Sequence, residues 1–585
     1  MKKRKGILLL LLFLVMFLFL QGFNAYHFYY IEQFQLFLKT WLYFIEKISY
    51  PGGTVEYFSQ FLVQFFIVPY LGAVIVAFIH LIIFIESYRL ILRNEKTKLF
   101  FFAPATILLS CLLMCFNINI YFHYVLSFLL CIICLNLYTS IKNSIFRTVA
   151  VFATVPLLYW IAGSVSILFA VCFFLYELIN VKDKKNISWL LLPIWACLIS
   201  WCAVRFSLTG NFRTSLLPDM YCLSNLHPPA SVYIPWLLLP VWIIVVSFLP
   251  KSNFSERMNY WVLGVQTILF LFLSWQGFLK FGDRNSYEIK KLDYFARLEQ
   301  WEKIIEESSR RNINNYLCHN YLNLALAEKS SLLQKMFQFN QRGPLSLEVP
   351  RKQNDFISAL ISDISFSVGD IASSQRYAFE GYETCSGGGS GRLLKRLIQT
   401  NLIFGEYAVA EKYIRILEHT FFYREWATNQ RQFLYNESLC IQDPLISKKR
   451  GFLPTKGKTG IVGTFPETLK ALMDINPSNS TARDYFFAYL LLSKEIYLFL
   501  NLFSDYQQVK IFPAQLPYSI NQALLIGYET QPEKWKETGI SKGTVDQFSA
   551  YKSLFIKTRR LPSHKEIMQK QFGSTYWFYF HFINI

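Results

Sequence analysis

Acidic residues are scarce in the first half of this chain: only nine Asp and Glu precede Phe278, against 30 after it. Metal centres need His, Cys or acids at close spacing, and His80, His123 and His227 have no such neighbours, so neither a metal site nor a cofactor is expected. The eleven cysteines form no disulfide framework. Cys111, Cys115, Cys131, Cys134, Cys172, Cys197 and Cys202 lie in apolar runs, where a thiol packs as a small hydrophobe, and Cys131-Ile132-Ile133-Cys134 is a CxxC by spelling only. A phosphate-binding loop is missing too. Gly457-Lys458-Thr459 spells its end, but Phe452 stands where its first glycine belongs.

What is abundant is apolar and aromatic surface: 53% hydrophobic and 18% aromatic residues, with 17% charged. A membrane-spanning helix needs about 17–25 mostly apolar residues. Nine runs qualify: Gly6–Phe23, Phe65–Tyr88, Leu99–Phe116, Tyr121–Tyr138, Ile145–Ala162, Ser164–Leu178, Ile187–Val204, Tyr233–Leu249 and Trp261–Phe278. Residues 1–280 are therefore expected to form a transmembrane domain in the lipid bilayer, and residues 281–585 a soluble domain.

Positive residues near helix ends are retained in the cytoplasm. One set of connections holds fifteen Lys and Arg, the first being Lys2, Lys3, Arg4 and Lys5; the other holds only Lys39, Lys47, Arg205 and Arg213. The N-terminus is thus expected inside and, after nine spans, the C-terminal domain outside. That sidedness depends on a turn at Ala162-Gly163-Ser164. The same fifteen residues account for most of the +19 net charge, so no nucleic-acid partner is implied.

The soluble half repeats itself. Val368-Gly369-Asp370-Ile371-Ala372 aligns with Phe404-Gly405-Glu406-Tyr407-Ala408 at an offset of 36 residues. A small residue there permits a tight turn between antiparallel helices, and Tyr294–Ile305 and Ala482–Leu492 have related patterns. The spacing resembles tetratricopeptide repeats, which implies a concave groove for a protein or an extended polymer. Ser386–Ser390 and Lys448–Gly463 read as loops.

Residues 26–64 read as an amphipathic outer loop. Phe34, Phe37, Leu38, Trp41, Leu42, Ile45 and Ile48 share one helical face, Tyr50-Pro51-Gly52-Gly53 breaks it, and a second helix spans Val55–Phe66. An inside-starting span followed by such a loop, with Glu32 early in it, resembles the GT-C superfamily of glycosyltransferases that use polyprenyl-phosphate-linked sugars. The resemblance implies Glu32 as general base, His27 and Gln33 beside the substrate, and Arg205 and Arg213 on the lipid phosphate. Glu32 lacks the second adjacent carboxylate that those enzymes usually carry. His80, in mid-span, calls for a partner or a cavity, as a transport path would supply.

Tyr50-Pro51-Gly52-Gly53, Gln60-Phe61-Leu62-Val63-Gln64-Phe65, Gly391-Arg392-Leu393-Leu394-Lys395-Arg396-Leu397 and Phe572-Gly573-Ser574-Thr575-Tyr576-Trp577-Phe578-Tyr579 together resemble an uncharacterised family of multi-pass membrane proteins from Bacteroidota. That resemblance implies a bacterial inner membrane and a periplasmic domain. The expectation is an all-α inner-membrane protein whose periplasmic repeats bind an envelope protein or polysaccharide in envelope or surface-polysaccharide biogenesis. The alternatives are a GT-C-type glycosyltransferase and, more remotely, a transporter.

Overall fold

The computed structural model describes all residues except 1, 93–99, 181–187, 224–226, 249–255, 283, 312, 353, 386, 455–462, 509–510, 514 and 585. Arg93, Lys96, Lys98, Lys182, Lys184, Lys185 and Lys251 from the basic loops, and the tripeptide Gly457-Lys458-Thr459, lie outside the described residues. Among those described, the chain is all-helical, with two isolated β-bridges and no strand. It divides into two compact units. Unit one holds residues 1–287 with 386–389 and 419–422; unit two holds the rest.

Unit one contains α1 (Lys2–Gln33), α2 (Trp41–Ile48), α3 (Gly53–Val63), α4 (Leu71–Ile91), α5 (Phe102–Met114), α6 (His123–Thr139), α7 (Ser144–Ala162), α8 (Val165–Asn180), α9 (Leu192–Arg205), α10 (Phe212–Leu216), α11 (Ile234–Phe248) and α12 (Glu256–Phe281). Six of its helical stretches are long and apolar enough to cross a membrane: Gly6–Gln33, Leu71–Ile91, Ser144–Ala162, Ser188–Arg205, Ala230–Phe248 and Arg257–Phe281. The other three expected spans are the shorter apolar helices Phe102–Met114, His123–Thr139 and Val165–Ile179. At 1.5 Å per residue, α5 is only about 20 Å long, less than the roughly 30 Å of a bilayer core.

The packed centre of unit one is α8, which touches α6, α7, α9 and α11 and buries Phe169, Ala170, Cys172 and Phe173 completely. The run Ile145–Leu178 is two helices, turning at Gly163 with φ +80°. A Cβ there would lie 2.6 Å from Met220 Sδ, so both conformation and space demand glycine. The turn is held by Tyr221, whose hydroxyl donates to Ala162 O at 2.6 Å, and by Ser164, which donates to Leu217 O at 2.8 Å.

Residues 26–64 differ from expectation. Tyr26 to Gln33 is the continuation of α1, because no proline, and no glycine after Gly22, interrupts it, and its Asn24 amide donates to Cys115 O at 2.8 Å. Phe34 to Thr40 is not helical. Its apolar spacing suits a helix, but the backbone runs extended, with Gln35 bridged to Gly387 and Lys39 N donating to His419 O at 2.8 Å. The amphipathic helix starts at Trp41, after Thr40 caps it, and leaves Trp41, Leu42 and Ile45 exposed.

Unit two begins within α13 (Arg284–Arg297) and continues through α14 (Trp301–Ser309), α15 (Tyr316–Glu328), α16 (Leu332–Lys335), α17 (Asp355–Val368), α18 (Ile371–Thr384), α19 (Gly391–Phe404) and α20 (Tyr407–Glu418). α17–α18 and α19–α20 are two helical hairpins, each turning at a left-handed glycine, Gly369 (φ +92°) and Gly405 (φ +76°). Lys448 to Arg450 end a helix, Pro444–Arg450, instead of opening a loop. Asp443 caps that helix and Pro444 starts it.

That short helix closes both hairpins. Lys449 Nζ reaches Phe366 O at 2.5 Å and Ser367 O at 3.0 Å, while Arg450 reaches Leu402 O at 2.9 Å and Ile403 O at 3.1 Å. Two consecutive cations thus satisfy the orphan C-terminal carbonyls of α17 and α19. Burial pushes the Lys449 ammonium down to about 7 despite the charge of Glu328. The C-terminal segment closes a second core: Trp577 is fully buried with Phe548, Tyr551 and Met568, and its indole donates to Gln522 O at 3.0 Å.

Candidate functional site

Glu32 sits in the last turn of α1, buried together with His27 and Gln33, and not in a solvated loop. His27 borders a cavity of about 20 Å³ shared with Phe66, Cys115 and Tyr121, enough for a single water. Arg205 ends α9, exposed. Arg213 is ion-paired with Asp219, and it donates to the Tyr233 hydroxyl at 3.2 Å. Its guanidinium is therefore already neutralised by an acid from its own loop. His80 places Nδ1 2.8 Å from Val76 O, one turn back on its own helix, and Nε2 3.7 Å from Cys115 Sγ.

The densest polar cluster of residues 26–64 involves none of these. Lys47, at the end of α2, pairs with Glu56 of α3 at 2.5 Å, the two side chains being 8% and 18% exposed. Tyr50 donates to the second Glu56 oxygen at 2.8 Å. Gln60 uses both amide hydrogens, one on Glu56 at 3.0 Å and one on Gly387 O at 3.1 Å. The Tyr43 hydroxyl bridges Leu36 O, at 3.0 Å, and the Gln60 side-chain oxygen. Burial opposes ionisation of Glu56, but the charge of Lys47 and the hydrogen bonds from Lys47 and Tyr50 outweigh it and hold the carboxyl below its usual range. A carboxylate with both oxygens occupied is a clamp, not a base.

Unit two contains a different kind of site. A groove of about 540 Å³ lies among α17, α18 and the helix Phe465–Ile475. Its floor is apolar, with Ile361, Ile364, Val368 and Leu469, and its polar side chains include Glu348, Asp370, Arg376, Tyr377, Thr464 and Thr468. The Arg376 guanidinium lies 5.6 Å from the Tyr377 ring centre. Asp370 caps α18 by accepting from Ser373 N at 3.0 Å, and burial pushes its carboxyl up. Burial likewise raises Glu348, although Tyr489 hydrogen-bonds it. The volume lies within the roughly 300–1,000 Å³ of ligand sites, and an apolar floor with a few polar groups is their usual lining.

The hairpin that forms this groove is legible in the repeat Val368-Gly369-Asp370, but its third wall is not. Asn479, 111 residues away, donates to Val368 O at 2.9 Å, and a Cβ on Gly369 would meet Phe452 at 2.7 Å. The pairing of Lys47 with Glu56 was equally hidden, since the Pro-Gly turn between them reads as a helix break without saying that it folds α2 back on α3. Among the described residues, no three of His, Cys, Asp and Glu gather in a metal-binding group.

The chain belongs to the DUF6057 family, a family of unknown function, whose profile matches residues 1–583. Neither a curated protein nor a solved structure matches it.

Proposed function

We propose that this member of the DUF6057 family is an integral protein of a bacterial inner membrane, with about nine spans and a cytoplasmic N-terminus. Its tetratricopeptide-like domain faces the periplasm and grips an extended partner, an envelope protein or a polysaccharide, during envelope or surface-polysaccharide biogenesis. The observation that carries this reading is the groove of about 540 Å³ walled by α17 and α18, with the Arg376–Tyr377 pair beside its apolar floor. An aromatic face and a guanidinium together suit a sugar ring with an acidic group, or a peptide side chain and carboxylate.

A photo-crosslinking residue at Arg376 in the full-length protein in cells tests it. Adducts that contain glycan or an envelope protein, lost when Tyr377→Ala is added, support the reading. Adducts at Arg376 no more abundant than at a control position elsewhere on unit two, or unchanged by Tyr377→Ala, would sink it. A reporter fused after Gly282 should be active only outside the cytoplasm.

The glycosyltransferase reading keeps one supporting observation, the joint burial of His27, Glu32 and Gln33 at the end of α1. Against it stands Arg213, committed to Asp219. Unimpaired complementation by Glu32→Gln would eliminate it. A transport path through His80 is weaker still, because the ring already hydrogen-bonds its own helix.

A further inference from the structure

Unit one has a second cavity, of about 440 Å³, in the angle between α5, α11 and α12. Its walls are mainly apolar: Leu109, Leu113, Leu238, Trp242 and Leu273, with Thr106 engaged by the Trp242 indole at 2.9 Å. Apart from Thr106 and Ser110, whose hydroxyl donates to Ile107 O at 2.7 Å, its polar side chains gather at one end. Lys280 is in the last turn of α12, Gln276 one turn before it, and Ser231 in the short turn that precedes α11. The C-terminal end of α5, the start of α11 and the C-terminal end of α12 therefore meet at one end of the cleft. Thr106, Trp242 and Leu273 lie some seven or eight residues along their helices from that end, about 10–12 Å deeper.

Two features of this end call for a ligand. Ser231 is 2% exposed, and its hydroxyl has no hydrogen-bond partner among the described residues, an arrangement that costs stability unless a bound group supplies one. Lys280 is exposed and is the one charged residue of the lining. The cleft is also open to the surroundings along α12, which exposes Val265, Ile268, Leu269 and Phe272 on its outer sides. Gly277 sets the separation of its walls, since a Cβ there would lie 2.4 Å from Leu113 Cδ1.

We infer that this cleft binds an anionic glycerophospholipid of the surrounding bilayer, one acyl chain lying against Trp242 and Leu273 and the phosphate beside Lys280. The unpartnered Ser231 hydroxyl donates to an ester carbonyl of the glycerol backbone. A polyprenyl phosphate supplies the chain and the anion but no carbonyl at that depth, which is why the assignment favours a glycerolipid. The site rests on the membrane reading of unit one and is independent of the groove in unit two.

Native mass spectrometry of the full-length protein, released from detergent after incubation with defined lipids, decides it. Phosphatidylglycerol should be retained over phosphatidylcholine. Lys280→Gln should lower that retention about fivefold, the effect of one lysine beside an anionic lipid. Ser231→Val should lower it further and should lower the weak phosphatidylcholine signal as well, since both lipids carry the ester carbonyl that the hydroxyl meets. Lys280 is exposed at the cleft mouth, so its variant keeps the fold and decides the matter even where Ser231→Val fails to accumulate. Equal retention of phosphatidylglycerol by wild type and Lys280→Gln overturns the site, and so does preferential retention of undecaprenyl phosphate. Recovery of the protein from carbonate-washed membranes with no lipid preference overturns the site alone. Recovery in the soluble fraction overturns the membrane reading with it.

Discussion

The helices of the two units present their large apolar side chains in opposite directions. α1 exposes Ile7, Leu8 and Leu10, and α12 exposes Trp261, Leu271 and Trp275, whereas α19 of unit two buries Leu393, Leu394, Leu397 and Ile398. In water the second arrangement is stabilised by burial of apolar area and the first is penalised; in lipid, where a helix gains nothing by hiding leucine, the first is neutral. The units also differ in how they bury charge. In unit one each buried cation meets a single acid, as Arg147 meets Glu177 at 2.6 Å and Lys47 meets Glu56 at 2.5 Å, whereas in unit two Arg392 bridges Asp293 at 2.6 Å and Asp363 at 2.5 Å, and Arg396 joins Asp363 at 2.9 Å.

The network of unit two should give the largest effect when broken. Arg392→Met leaves two buried aspartates facing each other without their shared cation, and removal of one partner from such a network costs about 3–5 kcal/mol. Hydrogen exchange of the full-length protein should show α15, α17 and α19 deprotected together while α4 and α8 stay protected. Deprotection spreading equally through both units would show that they do not unfold separately.

The Arg147–Glu177 pair of unit one should behave differently. Glu177→Gln strands Arg147 and should cost about as much as breaking any buried pair, but replacing both residues by methionine should restore most of the loss, since apolar substitutes of similar volume often match a buried pair. Thermal unfolding of the solubilised protein compares the single and double variants. A double variant as unstable as the single one would mean that the pair contributes more than mutual neutralisation. Arg147 also donates to Ile141 O at 2.8 Å, the contact most able to cause that result.

A backbone test comes third in size. Gly163→Ala forces a side chain into a left-handed turn and against Met220, with a cost of about 1–3 kcal/mol for the strain. Pairing it with Met220→Ala relieves the contact but not the conformation, so a partial recovery in melting temperature is the expected result.

Much of this contrast was legible in the sequence because it depends on local pattern. The long apolar runs announce α1, α4, α7, α11 and α12, and the Gly369 and Gly405 offsets announce the two hairpins of unit two. What escaped depends on contacts distant along the chain. Phe34 and Phe37 have helical spacing, yet their segment is extended because its backbone pairs with Gly387 and reaches His419, more than 350 residues on. Lys449 and Arg450 read as a loop because their acceptors, carbonyls of α17 and α19, carry no residue-type signal. Among the candidate site residues, the sequence marked Glu32 and Arg213 by type alone. It could not tell that the first ends a continuous helix and that the second is already paired.

The smallest effect, and the finest test of how unit two treats charge, lies within α17. Asp363 and Asp355 are on the same helix, and burial opposes ionisation of both. For Asp363 the charges of Arg392 and Arg396 overcome it and lower the carboxyl, while Asp355 has no cation beside it among the described residues and burial pushes it up to about 6. The two therefore contribute with opposite sign. Asp363, lowered on folding, supports the fold above its unfolded value near 4 and loses that support as pH falls through its folded value. Asp355, raised on folding, weakens the fold above about 6, and this penalty disappears as pH falls from 6 towards 4. Allowing for its partial exposure, the Asp355 term is about 1–2 kcal/mol. Wild-type unit two should thus gain stability relative to Asp355→Asn between pH 6 and 4, and a parallel pair of melting curves across that window would mean that Asp355 is solvated after all.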